Sequence, residues 1–226
     1  MRDDSWKSSD WIVFGTIPVA TALVAFADED VRSFALEHRG SRSRTVSSVV
    51  KPLGGDYVVP MAGVLWWAGA DERSPRLARA SRNALESWLL VQTTIQIAKY
   101  SVGRARPSRE EGNASFAGFA FDDSRHSFAS GHAGNAWAIL GAYAMEYDDI
   151  PAVSWPLWGA AAAVSASRIH DDQHWASDVV FSMGVGWISN RAVRAWNARK
   201  NAAKSTHSMM IVPTGDGWLV RLDEAF

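Results

Sequence analysis

Ser74–Tyr100 reads SPRLARASRNALESWLLVQTTIQIAKY, and its periodicity decides the kind of fold this chain makes. Serine is a favoured N-cap and proline suits the first helical position, so Ser74-Pro75 opens a helix. Leu85, Leu89, Ile95 and Ile97 supply its apolar positions, interleaved with Gln92, Thr93, Gln96 and Lys99. The helix therefore runs to about Tyr100 and carries one polar face near its end.

Outward from this helix the pattern stays mainly helical. Arg106-Pro107 is a stop, because proline disfavours helix in the residue before it. A charged, glycine-containing loop runs from Ser108 to about Ser127. Helices are expected over Ser130–Tyr147, Trp155–Arg168 after a break at Pro151, and His174–Lys200. On the N-terminal side, Ser9–Phe26, Asp28–His38 and Asp56–Ala70 read as helices. Between them lies a basic, serine-rich stretch from Gly40 to Lys51 and the breaker Pro52-Leu53-Gly54-Gly55. At the other end, His207–Pro213 and Trp218–Leu222 alternate around Thr214-Gly215-Asp216-Gly217, which predicts a β-hairpin over about 207–223. The expectation is an all-α bundle of about six or more helices with a small C-terminal β-hairpin. A chain of 226 residues is most simply one domain spanning 1–226.

Composition narrows the function. A net charge of −1 gives no basic field for nucleic acid. The absence of cysteine removes disulfides, thiolate metal sites and a cysteine nucleophile. Twelve tryptophans suit a core, a membrane interface or an apolar substrate rim equally well. Trp11–Ala27 is a 17-residue apolar run, at the lower edge of the roughly 17–25 residues that span a bilayer. Its flank carries Asp3, Asp4 and Asp10 against Arg2 and Lys7, so it is no ordinary signal peptide. With a mean hydropathy of −0.12, the balance reads as a water-soluble bundle or one in peripheral contact with a membrane.

Three short stretches carry chemistry. Lys99 and Arg106 are seven residues apart, which stacks them on one face if the helix reaches that far. Ser130-Gly131-His132 opens a helix whose free N–H groups point at an anion, with glycine permitting close backbone approach. Taken alone, Ser130 is simply an N-cap. Ser167-Arg168 precedes His174 and Asp178, four apart and on one face if both are helical, so the carboxylate can fix the imidazole tautomer. A competing arrangement pairs His170 with His174 as metal ligands, helped by Asp171, Asp172 or Asp178. Three nearby cations oppose it. His38, His126 and His207 have no comparable setting, although His126 could line the pocket.

Together these stretches resemble the type 2 phosphatidic acid phosphatase superfamily, which also holds bacterial acid phosphatases and vanadium haloperoxidases. Lys99 with Arg106-Pro107 matches the first family motif, and Ser130-Gly131-His132 the second, with Ala129 in place of its proline. Ser167-Arg168, His174 and Asp178 match the third, so the motif core is 99–178. The resemblance implies metal-independent hydrolysis of a phosphomonoester or diphosphate through a phosphohistidine, without a cofactor and with vanadate as an inhibitor. It makes His174 the nucleophile, Asp178 its orienting carboxylate and His132 the general acid. Lys99, Arg106, Ser130, Gly131 and Arg168 hold the phosphoryl oxygens. It also implies an extracytoplasmic location, periplasmic or membrane-associated. A phosphorylated lipid or isoprenoid is the expected substrate, ahead of a broad soluble phosphatase and then a haloperoxidase. Trp11, Trp66, Trp67 and Trp155 are the candidates to border its tail, unless they are core.

Overall fold

Helix α6, Gly131–Glu146, is buried along most of its length, and the rest of the molecule is arranged around it. A computed structural model describes residues 4–55, 57–69, 74–214 and 217–224. Besides α6, the described residues form α1 Ser8–Ala25, α2 Asp28–Glu37, α3 Ser41–Val50, α4 Val58–Gly69, α5 Pro75–Val102, α7 Pro151–His170 and α8 Ala176–Thr206. A 3-10 turn, Lys51–Gly54, links α3 to α4. At the C-terminus, β1 His207–Thr214 lies antiparallel to β2 Gly217–Glu224. Gly215 and Asp216, the expected turn residues, lie outside the described residues.

The sequence of α6, GHAGNAWAILGAYAME, is small and apolar on nearly every face, as a helix enclosed by others must be. It packs against α5, α7 and α8. A Cβ at Gly134 would stand 2.4 Å from Ile95 Cδ1, and one at Gly186 of α8 would stand 2.5 Å from Trp137 Cβ. Side chains at those two positions would push the helices apart, so glycine there sets the helix spacing. The core they enclose holds Val58, Val91, Ile95, Ile139 and Tyr143.

Four details depart from the sequence expectation. The Gly40–Lys51 stretch forms helix α3, its three valines supplying the apolar side. Pro151 opens α7 as its first residue instead of interrupting the chain, so α7 begins four residues early. Helix α5 stops at Val102, where Gly103 adopts φ +59° and its N–H closes on the Lys99 carbonyl. Arg106 therefore lies beyond the helix in extended backbone, not one face along from Lys99. Finally, α8 begins at Ala176, which leaves His174 ahead of it.

The two ends of the bundle differ. At one end meet the start of α6, the end of α5, the end of α7 and the start of α8, where the three motifs lie. At the other, Arg194 bonds Asp4 and the buried Glu146, Arg79 bonds Glu146, and Arg191 bonds the buried Asp10. Helix α1 lies against α8 but turns Trp11, Ile12, Phe14, Val19 and Leu23 outward, as does Phe26 at its C-cap. Trp66, Trp67 and Trp155 are exposed as well, so all four tryptophans singled out from the sequence lie on the surface.

Candidate active site

The nucleophile candidate sits in a turn. His174 follows the end of α7 and is buried, with Nδ1 2.6 Å from the Ser127 carbonyl oxygen. A carbonyl can only accept, so Nδ1 carries the proton and the lone pair is on Nε2. Burial pushes the His174 pKa well below the ordinary histidine range, and the charges of Arg106, Lys99 and Arg168 push it the same way. The Ser127 hydrogen bond opposes them.

Asp178 does not touch the imidazole among the described contacts. It is the third residue of α8, and its Oδ2 accepts the Trp175 backbone N–H at 2.9 Å, the reach-back half of a capping box. The same oxygen accepts the Ser127 hydroxyl at 2.6 Å, and Oδ1 accepts Arg104 Nη1 at 2.5 Å. The expected shared helical face is absent because the helix starts too late to include His174. Burial pushes the Asp178 carboxyl up, with Arg104, Ser127 and Trp175 pulling it down.

The side chains expected from the motifs to hold an anion are placed as follows. Ser130 occupies the N-cap of α6 but makes no capping hydrogen bond, and its buried Oγ has no partner among the described residues. Capping, the plain explanation of a serine there, is therefore not what its hydroxyl does. Arg168, also buried, gives one Nη2 contact to Asp171 at 3.3 Å and leaves Nε unpartnered. Lys99 Nζ stands 3.9 Å from where a Gly131 Cβ would be. Its pKa is lowered by burial and then by Arg106. Arg106 donates from Nη2 to both carboxylate oxygens of the exposed Asp123, at 3.0 and 3.1 Å, and from Nη1 to Gln173.

His132 lies in the first turn of α6. A Cβ added to Gly55 would stand 3.7 Å from its Nε2, so the 3-10 turn and Gly55 wall this ring. His170 turns elsewhere: its ring nitrogens face Asp171 and Ser43 of α3. The His170–His174 metal pairing does not form, and no cluster of three His, Asp or Glu that could hold a metal occurs among the described residues. His126 faces the Ala120 carbonyl.

Three residues of this region escape the motif reading: Arg104, Ser127 and Asp28. Arg104 stands inside the Lys99–Pro107 stretch, so its position was visible although its burial was not. Asp28 is brought in from α2 by folding alone.

The family profile of the PAP2 superfamily matches residues 81–202, more than half of the chain, and the chain belongs to that superfamily. It is similar to Lipid A 1-phosphatase of Porphyromonas gingivalis, 26% identical over 221 residues, covering 90% of this chain and 45% of that protein. The chain thus spans about half the length of that curated relative. Its fold is that of a transmembrane PAP2 type phosphatidylglycerolphosphate phosphatase from Bacillus subtilis, with TM-score 0.66, 18% identity, and coverage of 84% of this chain and 96% of that one. The Aquifex aeolicus LpxE structure is also similar, with TM-score 0.58, 16% identity, and coverage of 74% and 93%.

Proposed function

We propose that this protein is a metal-independent phosphatase that cleaves a phosphomonoester or diphosphate of a lipid through a phosphohistidine. The observation that carries the reading is the pair of buried, unpartnered donors, Ser130 Oγ and Arg168 Nε, beside a buried imidazole that presents its Nε2 lone pair. Buried donors without partners are costly in a finished structure, and an oxyanion supplies what they lack. Lys99, Arg106 and the α6 N-terminus add charge suited to a phosphoryl group, whose transfer depends on positioning and charge stabilisation.

In this scheme His174 Nε2 attacks phosphorus and the bond to the leaving oxygen breaks as His132 protonates that oxygen. Water then attacks the phosphohistidine, giving its proton to His132. The P–N bond breaks and phosphate leaves, with His174 again neutral. Fixed cations take the place a metal holds in other phosphatases. Residues 1–226 act as one domain around the motif core.

A lipid substrate is supported by the exposed apolar helices, by the names of the relatives, and by a cleft of about 310 Å³ between α3 and α7. Val46, Val50, Ala163 and Ala166 line it, with Ser167 and His170 among its polar lining. The chain is accordingly membrane-associated, with the site on the extracytoplasmic side.

The test is phosphate release by the purified chain in detergent from a phosphorylated glycolipid, phosphatidylglycerol phosphate, an isoprenyl diphosphate and soluble sugar phosphates. Lipid phosphates should be cleaved in EDTA and inhibited by vanadate, with acid-labile phosphate trapped on the wild type and absent from His174→Ala. Exclusive hydrolysis of the soluble substrates would leave a broad acid phosphatase. A strict need for added metal, or halide oxidation by the vanadate-loaded protein without phosphate release, would overturn the reading.

A further inference from the structure

Ser127 is gripped on three sides. Its N–H donates to the Arg104 carbonyl at 3.0 Å, its hydroxyl donates to Asp178 at 2.6 Å, and its own carbonyl faces His174 Nδ1 at 2.6 Å. The backbone group that fixes the His174 tautomer is thus aimed by Arg104 and Asp178 together. Arg104, also buried, donates to Asp178 through Nη1 and to Asp28 Oδ2 through Nη2, at 2.5 and 2.7 Å. Asp28 in turn accepts the Ser177 N–H at 2.9 Å and its hydroxyl at 2.6 Å, binding α2 to the first turn of α8. The Asn113 carbonyl takes Arg104 Nε and Nη2, so this guanidinium is committed to protein and none of its contacts reaches toward the anion site.

We propose that Arg104, backed by Asp28, is a positioning residue for the nucleophile: it holds Asp178 and Ser127 so that His174 keeps its proton on Nδ1 and its lone pair on Nε2. It differs in kind from Lys99, Arg106 and Arg168, which face the substrate anion. The proposal rests on the phosphohistidine reading for its kinetic consequence, while its structural consequence can be measured without turnover.

Ser127→Ala is the sharpest test, since it cuts the Asp178 link without removing a buried charge or the Ser127 carbonyl. Histidine ¹⁵N shifts of the full chain in detergent should report the Nδ1–H tautomer for wild-type His174 and a mixture for Ser127→Ala. A lipid-phosphate assay should show kcat down by about 10²-fold, as expected for a misplaced reacting group, with KM within twofold. Asp28→Asn should lie between the two, and Arg104→Lys should retain more kcat than Arg104→Gln, because an ammonium can still bond one carboxylate. A pure Nδ1–H tautomer and wild-type kcat in folded Ser127→Ala would overturn the proposal, whatever the Arg104 variants do. An inactive wild type would sink the phosphatase reading instead, and the tautomer measurement would still decide this one.

Discussion

The proposed attack needs a neutral His174, and its surroundings favour the neutral ring by burial first and by the Arg106, Lys99 and Arg168 charges second. Its folded pKa lies below the unfolded value of about 6.5. As pH falls through that value the unfolded chain takes up a proton before the folded one does, so this residue's share of stability is complete above about 6.5 and declines below it. Wild type should therefore lose thermal stability from about pH 6.5 downward more steeply than His174→Gln, measured by scanning at stepped pH. Equal slopes would mean the ring is not held neutral. Arg106 makes a second claim testable at a single residue. Its fork is occupied by the exposed Asp123 carboxylate, which on the proposed reading a substrate phosphoryl group displaces. An exposed pair of this kind is worth about 0–1 kcal/mol, so Asp123→Asn should lower KM by no more than about fivefold and leave kcat within twofold. A rise in KM would show that Asp123 places Arg106 rather than competing for it.

The far ends of α5, α6 and α8 are joined by charge pairs on the buried Glu146 as well as by apolar packing. Glu146 is 4% exposed and bonds Arg194, itself 5% exposed, and Arg79. Removing one partner of a buried pair leaves the other uncompensated, at about 3–5 kcal/mol. Glu146→Gln should lower the thermal midpoint clearly while kcat stays near wild type, since the motifs lie at the other end of these helices. A drop in kcat without a change in midpoint would sink that division of labour. The helices themselves were largely legible in the sequence, because Ser74-Pro75, Gly131 and the apolar periodicity mark them locally. Helix α3 was not, since Val46, Val49 and Val50 are a thin apolar signal among serines and arginines. Its anchors, Ser47 to Asp171 and Ser43 to His170, are contacts with residues more than a hundred positions away. The three motif stretches meet at one end of the bundle, but two inferred geometries did not follow. Lys99 and Arg106 are parted by the left-handed Gly103, and His174 and Asp178 by an α8 that starts at Ala176. Local spacing cannot reveal a helix end that tertiary contacts decide, and no spacing rule joins Asp28 to Arg104 across 76 residues.

For the molecule as a whole, the question is what covers its apolar exterior. Scattered exposed apolar residues are ordinary in soluble proteins, but α1 and the Phe26 that caps it expose six large ones, with Phe26 at 88%. Among the described residues it is the one helix long and apolar enough to cross a membrane, with mean hydropathy 1.3 over 18 residues. At 1.5 Å per residue it measures roughly 27 Å, close to the ~30 Å hydrocarbon core. Covering such side chains is worth about 1.5–3 kcal/mol each, so six of them outweigh the cost of ordering one helix at a surface. The membrane-associated reading therefore predicts that the wild-type chain sediments with vesicles and needs detergent for extraction. Replacing Phe14, Val19 and Leu23 by Asp should release much of it to the aqueous phase with the site intact toward a soluble phosphate ester. Activity on a lipid phosphate embedded in vesicles should fall in that variant while activity on the soluble ester persists. A wild-type chain that stays dispersed without detergent and ignores vesicles would remove the bilayer from this account. If scattering then gave twice the chain mass, a second copy would be the cover for α1.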